Sequence, residues 1–204
     1  MIELLYGENN FAIADRVSQS VRNFREQYGD DAVTQVDADT AEWPEIHQAI
    51  EGISLFGGEE KLVVIRSTGD NKDNAQRLAT TLEHISDSTE LLYVEPAIDK
   101  RSALYKSAKK HGAITEFPQL DEGRLVGWLQ SRAEESGGQI SHSAARKLID
   151  YVGTDQLLLD NELEKLITFR LSVDEEAIEQ LVEPRASETI FQLLDTMMLS
   201  LIHI

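Results

Sequence analysis

Met1-Ile2-Glu3-Leu4-Leu5-Tyr6-Gly7-Glu8-Asn9-Asn10-Phe11-Ala12-Ile13-Ala14-Asp15-Arg16 opens the 204-residue chain and decides how the remainder is read. Ile2 to Tyr6 has the character of a short buried strand, Gly7 of a turn, and Asn9 or Asn10 of the N-cap of a helix. In α/β proteins a strand–glycine–helix turn commonly seats a phosphate on the helix N-terminus. A working loop of that kind needs several glycines, then Lys and Ser/Thr. Backbone N–H groups cradle the phosphates, Lys reaches the β/γ oxygens and the hydroxyl holds Mg²⁺. Tyr6, Gly7, Glu8 and Asn9 supply one glycine, no lysine and an acid that repels phosphate. The scaffold for a nucleotide is present without its chemistry, so this loop is expected not to bind one and no cofactor is expected.

Outward from this stretch, the spacing predicts a helix from Asn10 to Tyr28. Ala14, Val17, Val21, Phe24 and Tyr28 lie on its inner face, and Gly29 ends it. Ala32 to Val36 is a short, partly polar strand suited to a sheet edge. Asp37 and Asp39 follow, readable either as metal or phosphoryl ligands or as the cap and loop of the next helix. That helix runs from Glu42 to Ser54 with Pro44 in its first turn. Ile46, Ala49, Ile50 and Ile53 form its inner stripe. Its end is unusual: Ser54-Leu55-Phe56-Gly57-Gly58 places two large apolar residues about 100° apart, too far for one narrow stripe. Two readings stand side by side. The pair folds back as the apolar contact of a glycine-ended helix, or it is an exposed hook that fills a partner's pocket.

Lys61 to Arg66 is apolar through its middle, as central parallel strands are. An active nucleotide hydrolase ends such a strand in acids that hold Mg²⁺; this one ends Ile65-Arg66-Ser67. A helix over Asn71 to Ile85 and a strand over Glu90 to Glu95 come next. A basic helix follows, with Asp99 as its cap and Lys100, Arg101, Lys106, Lys109, Lys110 and His111 along it. These cations read either as a solvated helix end or as a contact for phosphate or an acidic neighbour, with Arg101 and Lys106 the candidates. Ala113 to Phe117 is the fifth strand, and Pro118 closes the domain.

From Asp121 the pattern becomes all-helical, with helices over 122–135, 141–152, 155–169 and 174–182. Pro184 begins a third unit, whose helix carries Ile190, Phe191, Leu194, Met197, Met198 and Leu201 with nothing left in the chain to cover them. Ser200 to Ile204 resemble translated sequencing adapter rather than native sequence. The expected organisation is an α/β domain over 1–118, a helical domain over 119–183 and the start of a truncated domain over 184–204.

Lys+Arg 19 against Asp+Glu 37 gives a formal net charge of −18. A module that binds duplex DNA alone carries a basic face, so autonomous DNA binding is not expected. Cys is absent, which excludes disulfides and thiolate metal sites and fits a reducing compartment. With no apolar run of 18 residues and no basic leader, neither a membrane span nor a secretory signal is expected.

Five strand–helix units followed by a small helical lid resemble the AAA+ ATPase core, with a five-stranded parallel sheet. Tyr6-Gly7-Glu8-Asn9 with Phe11, Ser54-Leu55-Phe56-Gly57, Asp99-Lys100-Arg101 with Lys106, and Asn161-Glu162-Leu163-Glu164-Lys165-Leu166 occur in that order. Together with Ile190-Phe191-Gln192-Leu193-Leu194-Asp195 they resemble the delta subunits of bacterial DNA polymerase III. The resemblance implies a cytoplasmic clamp-loader subunit that has no catalysis of its own and works within the polymerase holoenzyme. It also implies a plug for the sliding clamp (the beta subunit), carried over to Leu55 and Phe56 with Ile53 and Ser54 beside them. A C-terminal collar would join the other loader subunits, and DNA would be met only within the complex. Two competing readings remain: an active P-loop-type nucleotide-binding enzyme with an unusual phosphate loop, and a phosphoacceptor domain using Asp37 or Asp39.

Overall fold

A computed structural model describes residues 1–52, 60–67 and 71–184. The expected hook at Ile53, Ser54, Leu55 and Phe56 and the expected helix beyond Pro184 lie outside the described residues. The chain forms two compact units, Met1–Gln119 and Leu120–Ile204.

The first unit alternates β1 (Ile2–Tyr6), α1 (Asn10–Tyr28), β2 (Val33–Asp37), α2 (Trp43–Glu51), β3 (Lys61–Arg66), α3 (Lys72–Thr81), β4 (Thr89–Val94), α4 (Ala103–His111) and β5 (Ala113–Glu116). All pairings are parallel and the strand order is β2-β3-β4-β1-β5. β2 is an edge strand, as its polar residues require. The connection from β1 to β2 travels one way along the sheet and the next three travel the other way. Right-handed crossovers therefore put α1 on one face and α2, α3 and α4 on the opposite one. The core divides accordingly. Ile13, Val17, Val21 and Phe24 pack on Leu5, Leu62, Val64 and Leu92. Ile46, Ile50, Leu78, Leu82 and Leu104 pack on Leu4, Val63, Ile65, Leu91 and Tyr93.

The inner face of α1 uses Ile13 where Ala14 was expected, and Ala14 is exposed. Tyr28 is 44% exposed, its ring resting on Phe24 at 4.6 Å. The basic helix starts later than its composition suggests. Ser102 is the N-cap, its hydroxyl accepting from Tyr105 N–H. Asp99 instead accepts from the backbone N–H of Arg101 at 2.8 Å, which leaves Lys100 and Arg101 in the turn before the helix. Asp37 takes the turn role: its carboxylate accepts from Asp39 N–H and its carbonyl from Ala41 N–H.

The second unit holds α5 (Glu122–Glu135), α6 (His142–Val152), α7 (Gln156–Phe169) and α8 (Glu175–Leu181). Asp121, Ser141, Asp155 and Asp174 cap them through their side chains. It is not purely helical: β6 (Gln139–Ile140) pairs in parallel with β7 (Ser172–Val173). These strands are too short for periodicity to show them. Leu159, Leu163 and Leu166 are buried with Leu129 and Leu148, while Leu158 is only partly covered. Arg132 grips Asp160 with two parallel bonds of 2.7 and 3.1 Å between α5 and α7, the fork geometry that suits guanidinium and carboxylate.

Asn74, 4% exposed on α3, donates its amide to the carbonyls of Ala38 (3.0 Å) and Ala41 (3.2 Å) and so holds the turn after β2. Asn74→Ala strands those acceptors. It is expected to cost about 1–3 kcal/mol, measured as a lower urea midpoint with an unchanged m-value.

Candidate functional site

Ligands of open parallel sheets bind beyond the carboxyl ends of the strands. Here those ends are Tyr6-Gly7-Glu8-Asn9 after β1, Arg66-Ser67 after β3, Glu95-Pro96 after β4 and Phe117-Pro118 after β5. Phe117 extends the β1–β5 pairing one residue beyond β5: its N–H donates to Tyr6 carbonyl at 2.7 Å, and its carbonyl accepts from Asn9 N–H at 3.1 Å. Gly7 arches over this contact with φ +128°. A Cβ there would lie 2.2 Å from the Phe117 carbonyl oxygen. The glycine is needed for that close approach, whatever else the loop does.

Four of the amides that a phosphate loop would turn toward its ligand are bonded within the protein. Gly7 N–H donates to Pro96 carbonyl at 3.1 Å, Asn9 N–H to Phe117 carbonyl and Asn10 N–H to Glu8 carbonyl. Ala12 N–H donates to the Asn9 side chain at 3.0 Å. Asn9 is itself 4% exposed. The sequence signal for a helix cap was therefore correct, and the same residue also ties the loop to the end of β5.

Tyr6 is buried, with its ring edge-on to Tyr105 and the Lys100 ammonium 5.0 Å from its centre. Lys100 also reaches the Glu116 carboxylate at 3.3 Å. Burial first, then the Glu116 carboxylate, raise the Tyr6 phenol above its ordinary value. The Tyr6 hydroxyl and Lys100 hold Glu116 below the usual glutamate range. Lys100 is raised in turn by Tyr6 and Glu116. The Lys100 ammonium beside Tyr6 is thus paired with a neighbouring acid.

At the end of β3 stands Arg66, followed by Ser67 at φ +26°. The Ser67 hydroxyl donates to Glu95 at 3.1 Å and the Tyr93 hydroxyl to the other oxygen of Glu95 at 2.6 Å, while Glu95 N–H donates to Leu5 carbonyl. Both oxygens of Glu95 thus accept hydrogen bonds from hydroxyls. Sequence reasoning missed this network, because only its position beside Pro96 marked Glu95 and its partners are remote in sequence. It also missed Glu3, a buried acid on β1 held by Arg16 (2.8 Å) and Thr115 (2.8 Å). No cluster of three metal-ligating side chains occurs among the described residues.

The candidate phosphate contacts lie apart from the loop residues in role. Arg101 pairs with Asp99 at 3.3 Å on a well-exposed turn. Lys106 is on α4, and Lys110 and His111 at the end of that helix face Glu83.

Sheet order, connection handedness and this strand–helix turn define an AAA+/RecA-like α/β unit followed by a small helical unit. The family model for the DNA polymerase III delta subunit matches residues 4–117, more than half of the chain, and the chain belongs to that family. It is 26% identical over 177 residues to a probable DNA polymerase III subunit delta of Aquifex aeolicus, covering 81% of this chain and 49% of that protein. Its fold matches the Bacillus subtilis DNA clamp loader delta protein with a TM-score of 0.75 at 22% identity, over 95% of this chain and 61% of that one. A RuvB mutant from Thermotoga maritima matches with a TM-score of 0.52 at 10% identity, over 88% of this chain and 60% of that one. The chain spans about half the length of the curated relative and about three fifths of each solved one.

Gly7→Ala forces a Cβ onto the Phe117 carbonyl at a backbone angle that L-residues avoid. It is expected to lower the unfolding free energy by at least about 2 kcal/mol, read from urea titration of the intact chain.

Proposed function

We propose that this chain is the clamp-engaging part of a non-hydrolysing loader subunit, which binds and opens the sliding clamp of DNA polymerase III during DNA replication. Its partners are the clamp (the beta subunit) and the other loader subunits, in the cytoplasm, with DNA met only within that assembly. Membership of the delta family across the α/β unit carries this reading. The internally bonded amides of Gly7, Asn9, Asn10 and Ala12 support the absence of nucleotide chemistry.

Leu55 and Phe56, flanked by Ile53 and Ser54, are the proposed clamp contact. The ends of the segment that carries them support this role. Lys61, the first residue of β3, donates its ammonium to the carbonyls of Ala49, Ile50 and Gly52 (2.7 Å for Gly52). It thereby satisfies the C-terminal carbonyls of α2, where a cation suits the helix dipole. The residue after the segment is tied to those before it, so a hook between them starts from fixed stems and loses less entropy on binding. Burial lowers the Lys61 pKa from its ordinary value, yet three carbonyls favour its charged form.

Burying a Leu and a Phe offers about 1.5–3 kcal/mol each. Micromolar affinity needs about 8 kcal/mol net of association costs. The pair is an anchor, and neighbouring surface of the α/β unit must contribute the remainder. The clamp is biased open only if the anchor binds the sprung form more tightly than the closed one. Arg101 and Lys106 are assigned a lesser role, as a contact for a neighbouring subunit or for phosphate within the assembly.

The test is calorimetric titration of the chain with a sliding clamp. Leu55→Ala/Phe56→Ala is expected to abolish measurable binding while the thermal melt of the chain is unchanged. Wild-type affinity in the double variant would remove the assignment of the hook.

A further inference from the structure

The handedness of the connections has a second effect. On the α1 face a single described helix about 10 Å across lies over five strands about 4.8 Å apart, so the edge strand is covered only in part, at Val33. Between α1 and β2 there is a depression of about 460 Å³. Val17 and Val21 contribute its apolar lining, Arg22, Arg25 and Arg66 its cations, and Glu26 is its acid. Arg25 approaches Asp30 only loosely, at 3.6 Å. Arg22 and Arg66 are exposed and have no ion-pair partner among the described residues. In a chain with almost twice as many acids as bases, this groove reverses the prevailing sign.

The strand beside the groove has an open edge. Ala38 N–H donates to Arg66 carbonyl, so the even-numbered residues of β2 turn their backbone groups to β3 and the odd-numbered ones turn outward. Val33 N–H is taken by Asp30 carbonyl, and Asp37 carbonyl by Ala41 N–H. Among the described residues this leaves the Val33 carbonyl, both groups of Gln35 and the Asp37 N–H along the outer edge. That set matches one added strand, and the Gln35 side chain lies in the groove itself.

We propose that the outer edge of β2 and its arginine-lined groove dock an extended acidic segment of a partner protein, added as a sixth strand. Alternate residues of such a strand fall on the α1 face. Carboxylates two residues apart would meet Arg22, Arg25 and Arg66, whose planar forks match them bidentately, while aliphatic stems rest on Val17 and Val21. Nucleic acid fits less well. A duplex carries one negative charge per about 1.7 Å and meets a chain of net charge −18. Its backbone also offers only acceptors, whereas this edge presents donors and acceptors in alternation, as peptide recognition by strand addition uses. This site is separate from the proposed hook and does not depend on it.

The probe is a fluorescein-labelled peptide of alternating Glu and Val, compared with one of alternating Gln and Val, titrated into the intact chain at low salt. The expected result is saturable binding of the acidic peptide only, with slowed hydrogen exchange at the Gln35 and Asp37 amides. Arg22→Gln/Arg66→Gln is expected to weaken it at least about tenfold without changing the thermal melt; both side chains are exposed. Three results overturn the proposal: no saturable binding, binding indifferent to the double substitution, or equal binding of the Gln peptide. Tighter binding of a short labelled duplex DNA, lost in the same variant, would assign the groove to phosphate instead.

Discussion

The contact between the Gly7 turn and the Phe117 carbonyl ties together the carboxyl ends of β1, β4 and β5. Phe117 continues the pairing of β5 with β1, and its carbonyl then accepts from the N–H of Asn9, whose side chain caps α1. The turn can close this far only because residue 7 lacks a Cβ. Once closed, it has bonded the amides of Gly7, Asn9 and Asn10 to carbonyls. A phosphate would have to displace carbonyl acceptors already in place, and would do so beside Glu8 with no lysine in the loop. Lys100, whose ammonium lies over the Tyr6 ring, is engaged by Glu116. The same contacts that close the sheet end thus also occupy the amides of Gly7, Asn9 and Asn10.

The second constraint is topological. Placing β1 between β4 and β5 sends one crossover in the opposite direction from the other three, so right-handedness divides the helices three to one. The crowded face buries α2 firmly through Ile46 and Ile50. Lys61 adds a polar lock at the helix's C-terminal carbonyls. On the other face α1 covers β2 only at Val33. One face of the sheet thus buries three helices, while backbone groups on the outer edge of β2 and the Arg22 and Arg66 guanidinium groups are without partners among the described residues.

Much of this was legible in the sequence. Ile2–Tyr6, Asn10–Tyr28 and Lys61–Arg66 lie where an apolar run, an Asn cap and a glycine stop place them. The misses share a cause, which is that local pattern does not reveal tertiary competition. Ser102 and Asp99 are equally good caps by type, and the Asp99 carboxylate was claimed by Arg101 N–H. Ala14 and Ile13 differ by one helical step, and the larger side chain took the core. The Ser67–Glu95–Tyr93 network and the Glu3–Arg16–Thr115 network join residues from different strands, which no short window can link. The β6–β7 bridge has two residues per strand and no period at all. Of the candidate site, the loop residues were legible by chemistry and explained by packing, while Leu55 and Phe56 rest on the family resemblance and fall outside the described residues.

Equilibrium dialysis of the intact chain against labelled Mg-ATP shows whether a turn folded onto its own carbonyls seats a phosphate. No saturable binding at micromolar nucleotide is expected. Stoichiometric uptake in that range would mean that the Gly7–Asn9 amides release Pro96 and Phe117 for a ligand, and the turn would then be a working phosphate seat.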